Sequence, residues 1–280
     1  MTRIIAFLPA ILLATSAVAA STTSTNVDIT VTHGGSSNTA LPSPPAGFHW
    51  TQTFGDEFNS AFNTSVWDVD HWCGGCSTPN ATDVVSNGIL TMTIQTSVPD
   101  TRNIIDTWTT SGGRGNHAFA QRYGYFVYDV KLPTCSSGEW DLESFGRDTW
   151  TGGVYGELAV ASLKNACNYS SVSPYEIDNN RAIHWYETIN AGVDLTQAFH
   201  QFGILWTDDG SAHGSVVMYL DGQAVTSSHQ LVSPSFDNGL YFDIYWSPEQ
   251  AGNVLGGQGV DAQGSTMQFD WIRAYQLAPN

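Results

Sequence analysis

Between Gly138 and Gly146 the chain reads Glu139-Trp140-Asp141-Leu142-Glu143-Ser144-Phe145, three carboxylates alternating with two large apolar side chains. A period of two is the period of a β-strand, whose successive side chains point to opposite faces. Glu139, Asp141 and Glu143 then share one face, and Trp140 and Leu142 share the other. A helix would scatter them, because helical neighbours lie three and four residues apart. If the apolar side packs into a core, the acidic side must meet water or a ligand cleft, since burying three like charges is prohibitively costly. That face is a candidate site, or else the charged outer side of an edge strand, where charge discourages aggregation.

The rest of the chain is written in the same period. Ile89-Leu90-Thr91-Met92-Thr93-Ile94 alternates, as do Tyr123 to Leu132 and Val216 to Leu220, with Asp221-Gly222 as a turn before Val225. No long segment holds a helical period, and no repeat of fixed length recurs. Short aromatic and β-branched runs between Gly, Asn, Asp and Pro predict an all-β fold, a sandwich or jelly roll of two antiparallel sheets.

Three segments are expected. Residues 1–19 read as an export signal: Arg3 opens it, Ile4 to Ala14 form the apolar run, and Ala17-Val18-Ala19 is a small-residue cleavage site. Residues 20–46, rich in Ser, Thr, Asn, Gly and Pro, read as linker-like, although Val27 to Thr32 alternates and could add an edge strand. Residues 47–280 are long enough for one domain with a sizeable core. An exported, extracellular monomer is expected, and no later apolar run approaches the ~20 residues of a membrane-spanning helix.

Charge narrows the partners. With 26 acidic and 9 basic residues the net charge is −17, which argues against nucleic acid and anionic membranes and leaves a neutral polymer open. Four cysteines in an exported chain suggest disulfides. Of the three connectivities, Cys73 to Cys76 and Cys135 to Cys167 is preferred over a redox or zinc role, because Cys73-Gly74-Gly75-Cys76 has no second pair at ribbon spacing. The histidines show no metal-ligand spacing. Asn63-Thr64-Ser65, Asn80-Ala81-Thr82 and Asn168-Tyr169-Ser170 are glycosylation acceptors in a host that has that pathway.

A row of carboxylates suits glycosidic cleavage, in which one carboxyl protonates the leaving oxygen and a second attacks the sugar or activates water. Glu139 and Glu143 start roughly 13 Å apart along a strand. On a concave sheet their side chains can lean towards the ~5–5.5 Å separation of a retaining mechanism. Crowding also couples their titrations, so that one proton is held to higher pH.

Glu139-Trp140-Asp141-Leu142-Glu143 with the following Ser144-Phe145-Gly146 resembles the active-site signature of glycoside hydrolase family 16, which includes laminarinases, lichenases and xyloglucan transglycosylases. The resemblance continues in order through Phe54-Gly55-Asp56-Glu57-Phe58-Asn59, Asn87-Gly88-Ile89-Leu90, Arg122 to Phe126, Lys131-Leu132-Pro133, Phe199 to Trp206, Met218 to Gly222, and Phe269 to Gln276. It implies a jelly roll with a concave substrate groove. It also implies Glu139 as nucleophile, Asp141 as its helper and Glu143 as acid/base. Trp140 departs from the aliphatic residue usual at its position. A second alignment lays Trp140 to Gly146 on the family's Trp-rich strand and puts the catalytic strand at Gly156-Glu157-Leu158-Ala159-Val160-Ala161-Ser162, where Ala159 and Ser162 would replace helper and acid/base.

Sugar rings offer flat C–H faces, which aromatic platforms bind. By resemblance, Trp246 and Trp185 are the expected platforms, with His184 beside them. The family also implies no redox cofactor, and a structural calcium held through backbone oxygens and an Asp, for which Asp270 is the candidate. The expected function is a secreted endo-acting β-glucanase on β-1,3 or mixed β-1,3/1,4 glucan. The alternatives are a catalytically inactive carbohydrate-binding relative, a transglycosylase on cell-wall polysaccharide, or a secreted sandwich with no sugar site.

Overall fold

The computed structural model describes residues 22–26, 38–69, 84–93, 103–107, 118–133, 139–149, 154–163, 171–178, 182–247 and 266–280. The export signal, the run from Val27 to Thr32, all four cysteines and the acceptors at Asn80 and Asn168 lie outside them. Among the described residues eighteen strands follow one another. The first six are β1 (Thr22–Asn26), β2 (Phe48–Asp56), β3 (Asp68–Val69), β4 (Val84–Ser86), β5 (Ile89–Thr93) and β6 (Asn103–Asp106). Then come β7 (Gly124–Lys131), β8 (Glu139–Thr149), β9 (Val154–Leu163), β10 (Ser171–Val172), β11 (Tyr175–Asp178) and β12 (Ile183–Asn190). The last are β13 (His200–Thr207), β14 (Ser215–Leu220), β15 (Gln223–Ala224), β16 (His229–Gln230), β17 (Leu240–Ser247) and β18 (Thr266–Pro279). Among the described residues there is no α-helix, only a 3-10 turn at Pro234–Asn238.

The strands form the jelly-roll sandwich that the period of two predicts. The first sheet runs β1-β12-β11-β9-β8-β17-β6-β3, and the second β15-β14-β13-β7-β18-β5-β4, with β2 on the far half of β18. Pairing is antiparallel except for β1, which lies parallel to β12. Two hairpins turn on two residues with positive φ, Asn87-Gly88 (53° and 77°) and Asp221-Gly222 (49° and 79°). That is the mirror-image turn whose twist matches right-handed strands, and Asn or Asp followed by Gly adopts it at least cost.

The main core lies between the sheets. The first sheet gives it Leu158, Val160, Ile189, Phe242 and Ile244, and the second gives Phe126, Tyr128, Phe202, Ile204 and Phe269, each at most 2% exposed. β7 is covered on both faces. Its Phe126, Tyr128 and Val130 enter the main core, while Tyr125 and Val127 join Trp271 and Tyr275 in a second cluster on the outer side of the sheet.

Residues 38–46, linker-like by composition, lie over that outer cluster. Thr39 Oγ1 meets Tyr275 Oη at 2.6 Å, Ala40 N–H donates to Gln201 Oε1 at 2.6 Å, and Gln201 Nε2 donates back to the Asn38 carbonyl at 2.9 Å. Trp50 Nε1 donates to the Pro42 carbonyl at 2.6 Å. Arg273 holds the strap too, donating to Thr39 Oγ1 at 2.9 Å while its fork grips both oxygens of Glu57 at 2.7 and 2.6 Å. The segment thus docks through hydrogen bonds to side chains that the sheet directs outward, and its Pro42 is buried.

Candidate active site

Strand β8 is interior to the first sheet, with β9 on one side and β17 on the other. It pairs with β17 without a slip from Glu139↔Ser247 to Gly146↔Leu240. Position 142 lies opposite Ile244 on β17 and Ala161 on β9, and both belong to the main core. Directly paired positions share a face, so positions 140 and 142 fall on the core face, and 139, 141 and 143 fall on the opposite one.

That face gathers further positions. On β17, Asp243 stands opposite Glu143 and Tyr245 opposite Asp141. Paired Cα atoms of an antiparallel ladder lie ~4.5–5.5 Å apart. On β9, Ala159 stands opposite Glu143 and Ser162 opposite Asp141, because the register slips there by one residue. The extra residue is a β-bulge, which lets the consecutive Val160 and Ala161 both enter the core and returns Ser162 to the outer face. Glu157 lies two residues before Ala159 and opposite Phe145, so it shares this face and neighbours Glu143 diagonally.

The surroundings of Glu157 are fixed in detail. Its side chain is partly exposed, and Tyr175 Oη donates a hydrogen bond to its Oε1. Tyr175 is fully buried on β11, packed with Ala159 and Ile177 and flanked by Ile183 and Tyr186. The site can therefore present an oriented carboxylate on β9 beside the row on β8.

Of the three residues expected to bind sugar, Trp185 and His184 have defined surroundings. Trp185 is only 6% exposed and belongs to the main core, its ring stacked on His229 at 4.3 Å and its Nε1 donating to Glu176 Oε2 at 3.1 Å. A ring covered in this way has little face to give to a ligand. His184 sits where β12 slips against β11, its Nε2 3.1 Å from Asp178 Oδ2. On β17, position 246 pairs with 140 and follows 242 and 244 in the register, while 241, 243 and 245 pair with 145, 143 and 141.

Two carboxylates belong to the core face. Glu176 is fully buried, with Oε1 accepting from the backbone N–H of Val232 and Ser233 at 2.8 and 3.1 Å; burial pushes its carboxyl up, against the pull of these bonds and of nearby His184. Glu187 takes His229 Nε2 at 2.5 Å and the Ser227 hydroxyl at 3.1 Å. Both tie the segment 227–233 to the first sheet.

For a calcium ion, the acidic neighbourhood is Asp270 beside Glu57. Burial and the Glu57 charge raise the Asp270 carboxyl. Arg273 already grips both Glu57 oxygens, so a cation there would compete with a bidentate guanidinium. The donor set does not fit the ion as it stands. No group of three or more His, Cys, Asp or Glu side chains among the described residues is arranged to hold a metal.

This jelly roll is the fold of solved family 16 glycoside hydrolases. SCLam, a non-specific endo-β-1,3(4)-glucanase of that family, superposes with a TM-score of 0.61 at 21% identity, over 84% of this chain and 94% of its own. An endo-β-galactosidase from Clostridium perfringens superposes with a TM-score of 0.60 at 18% identity, over 85% and 64% of the two chains. In sequence, the endo-1,3-1,4-β-glycanase ExsH of Rhizobium meliloti (strain 1021) is 26% identical over 263 residues, 81% of this chain and 52% of its own length. The chain spans about half the length of the curated relatives it matches. No family model matches it.

Proposed function

We propose that this protein is an exported, endo-acting hydrolase of β-1,3 or mixed β-1,3/1,4 glucan that retains anomeric configuration. One observation carries the reading: an interior strand turns its apolar positions to the core and positions 139, 141 and 143 to the other face. The sequence relative acting on mixed-linkage glycan and the shared fold support the substrate class.

In the first step a Glu139 carboxylate oxygen bonds to the anomeric carbon as the glycosidic C–O bond breaks, and Glu143 gives its proton to the departing oxygen. In the second, Glu143 takes a proton from water, the water oxygen bonds to the anomeric carbon, and the ester to Glu139 breaks. Asp141, between them, keeps the pair's titrations apart through its charge. A sugar hydroxyl in place of water gives transfer instead of hydrolysis.

The test is reducing-sugar release from lichenan, laminarin and barley glucan, with the anomeric configuration of the product read by NMR. Glu143→Gln lowers kcat by about 10²–10⁴-fold, the usual share of general acid catalysis. Glu139→Gln removes turnover while the thermal midpoint stays near that of the parent. Full activity in both variants refutes the assignment.

A second reading is favoured by the bulge and by the Tyr175 bond. Both belong to β9, where Glu157, Ala159 and Ser162 share the face of the row. If Glu157→Gln abolishes cleavage and Glu139→Gln does not, the nucleophile stands on β9 and its acid must come from β8. If the parent chain binds glucan and never cleaves it, the protein is a carbohydrate-binding relative.

A further inference from the structure

Of the three glycosylation acceptors in the sequence, Asn63-Thr64-Ser65 lies within the described residues, in the connection from β2 to β3. Its three residues are all exposed. The Asn63 carbonyl accepts from Val66 N–H at 3.0 Å and from Trp67 N–H at 2.9 Å, closing a tight turn. Its side-chain Oδ1 accepts twice from Ser65, from the backbone N–H at 3.1 Å and from the hydroxyl at 2.6 Å. The amide plane is thereby fixed by its oxygen, and Nδ2 makes no hydrogen bond among the described residues. Behind the turn, Trp67 is 1% exposed and its indole N–H donates to Asp56 Oδ2 at 2.7 Å. The acceptor nitrogen faces outward from a turn anchored in the core.

We infer that Asn63 is a site of N-linked glycosylation, an inference that rests on the export reading above. The donor is an oligosaccharide carried on a lipid pyrophosphate. The Asn63 Nδ2–C1 bond forms as the C1–O bond to phosphate breaks; the lipid pyrophosphate leaves with the electron pair, and the amide gives up one proton to the transferase. Ser65 has a chemical part in this, because its hydroxyl is the group two residues on that the acceptor sequence requires. The folded turn accommodates the product, since a glycan on Nδ2 displaces no bond of the turn and leaves the Trp67 anchor untouched.

The full chain, with its own amino terminus, is expressed in a yeast secretory host, trimmed with endoglycosidase H and mapped by mass spectrometry. The expected result is a chain in the medium whose Asn63 peptide carries one residual N-acetylglucosamine. Asn63→Gln and Ser65→Ala lose that sugar, and Ser65→Thr, which keeps the hydroxyl, retains it. A secreted chain with Asn63 bare overturns the inference and leaves export standing. A chain retained in the cytosol without sugar overturns both, and fractionation tells the two results apart.

Discussion

Glu176 has no part in the proposed chemistry, yet it sets a pH dependence of its own. It is an ionisable group with no exposed surface, whose folded carboxyl titrates above its unfolded value because burial outweighs the donors around it. A raised carboxyl binds its proton more tightly folded than unfolded, so its contribution to stability is complete below the ordinary Glu value of about 4.3 and is lost as pH rises through the folded value. Glu176→Gln keeps an acceptor for Val232 and Ser233 and removes the charge. Thermal midpoints followed from pH 4 upward should fall less steeply in this variant than in the parent; parallel slopes would show that Glu176 is not the group responsible. A second residue-scale effect is steric. A Cβ on Gly203 would run into the buried Tyr125 hydroxyl, whose titration burial already drives far above the usual phenol range. Gly203→Ala should cost about 1–3 kcal/mol in urea denaturation, as overpacking of a filled interior does.

At the scale of elements, much was legible because the signal was a period. β5 and β14 alternate in sequence and in burial, β7 alternates in sequence but is buried on both faces, and Asp221-Gly222 turns where its two residues require. β8 was readable for the same reason, and its extent to Thr149 exceeds the acidic core of the pattern by only a few residues. The candidate site was half legible. The acidic row could be assigned a face from its own spacing, but its neighbours could not, because a face-mate across a ladder depends on pairing between strands distant in the chain. Trp185 shows the failure in one residue: an indole is equally suited to a sugar and to a core, and Glu176, nine positions earlier, decides by accepting its N–H. The bulge at Val160 was likewise hidden. Nothing in Leu158-Ala159-Val160-Ala161-Ser162 announces that two consecutive residues turn inward, and without that slip Ser162 would lie on the core side.

For the molecule as a whole, the strap at residues 38–46 changes what counts as the domain. Its composition resembles a tether, yet its bonds reach Gln201, Tyr275, Arg273 and Trp50 on three different strands of the second sheet. A chain beginning at residue 47 should be less stable than one beginning at residue 38 by roughly 2.5–7.5 kcal/mol, taking ~0.5–1.5 kcal/mol for each of the five hydrogen bonds lost. Equal midpoints in guanidinium would return the strap to the status of a tether.

Strand β1 has a consequence in time. Thr22–Asn26 leave the ribosome well before their ladder partner, Tyr186–Asn190, which is made more than 150 residues later. For that whole interval the segment has no template, and once β12 appears its bare flank is open to any passing extended chain until the cognate segment arrives. The earliest piece of the sheet to be translated is thus among the last to be fitted, and crowding of nascent copies is the hazard that this order of assembly invites.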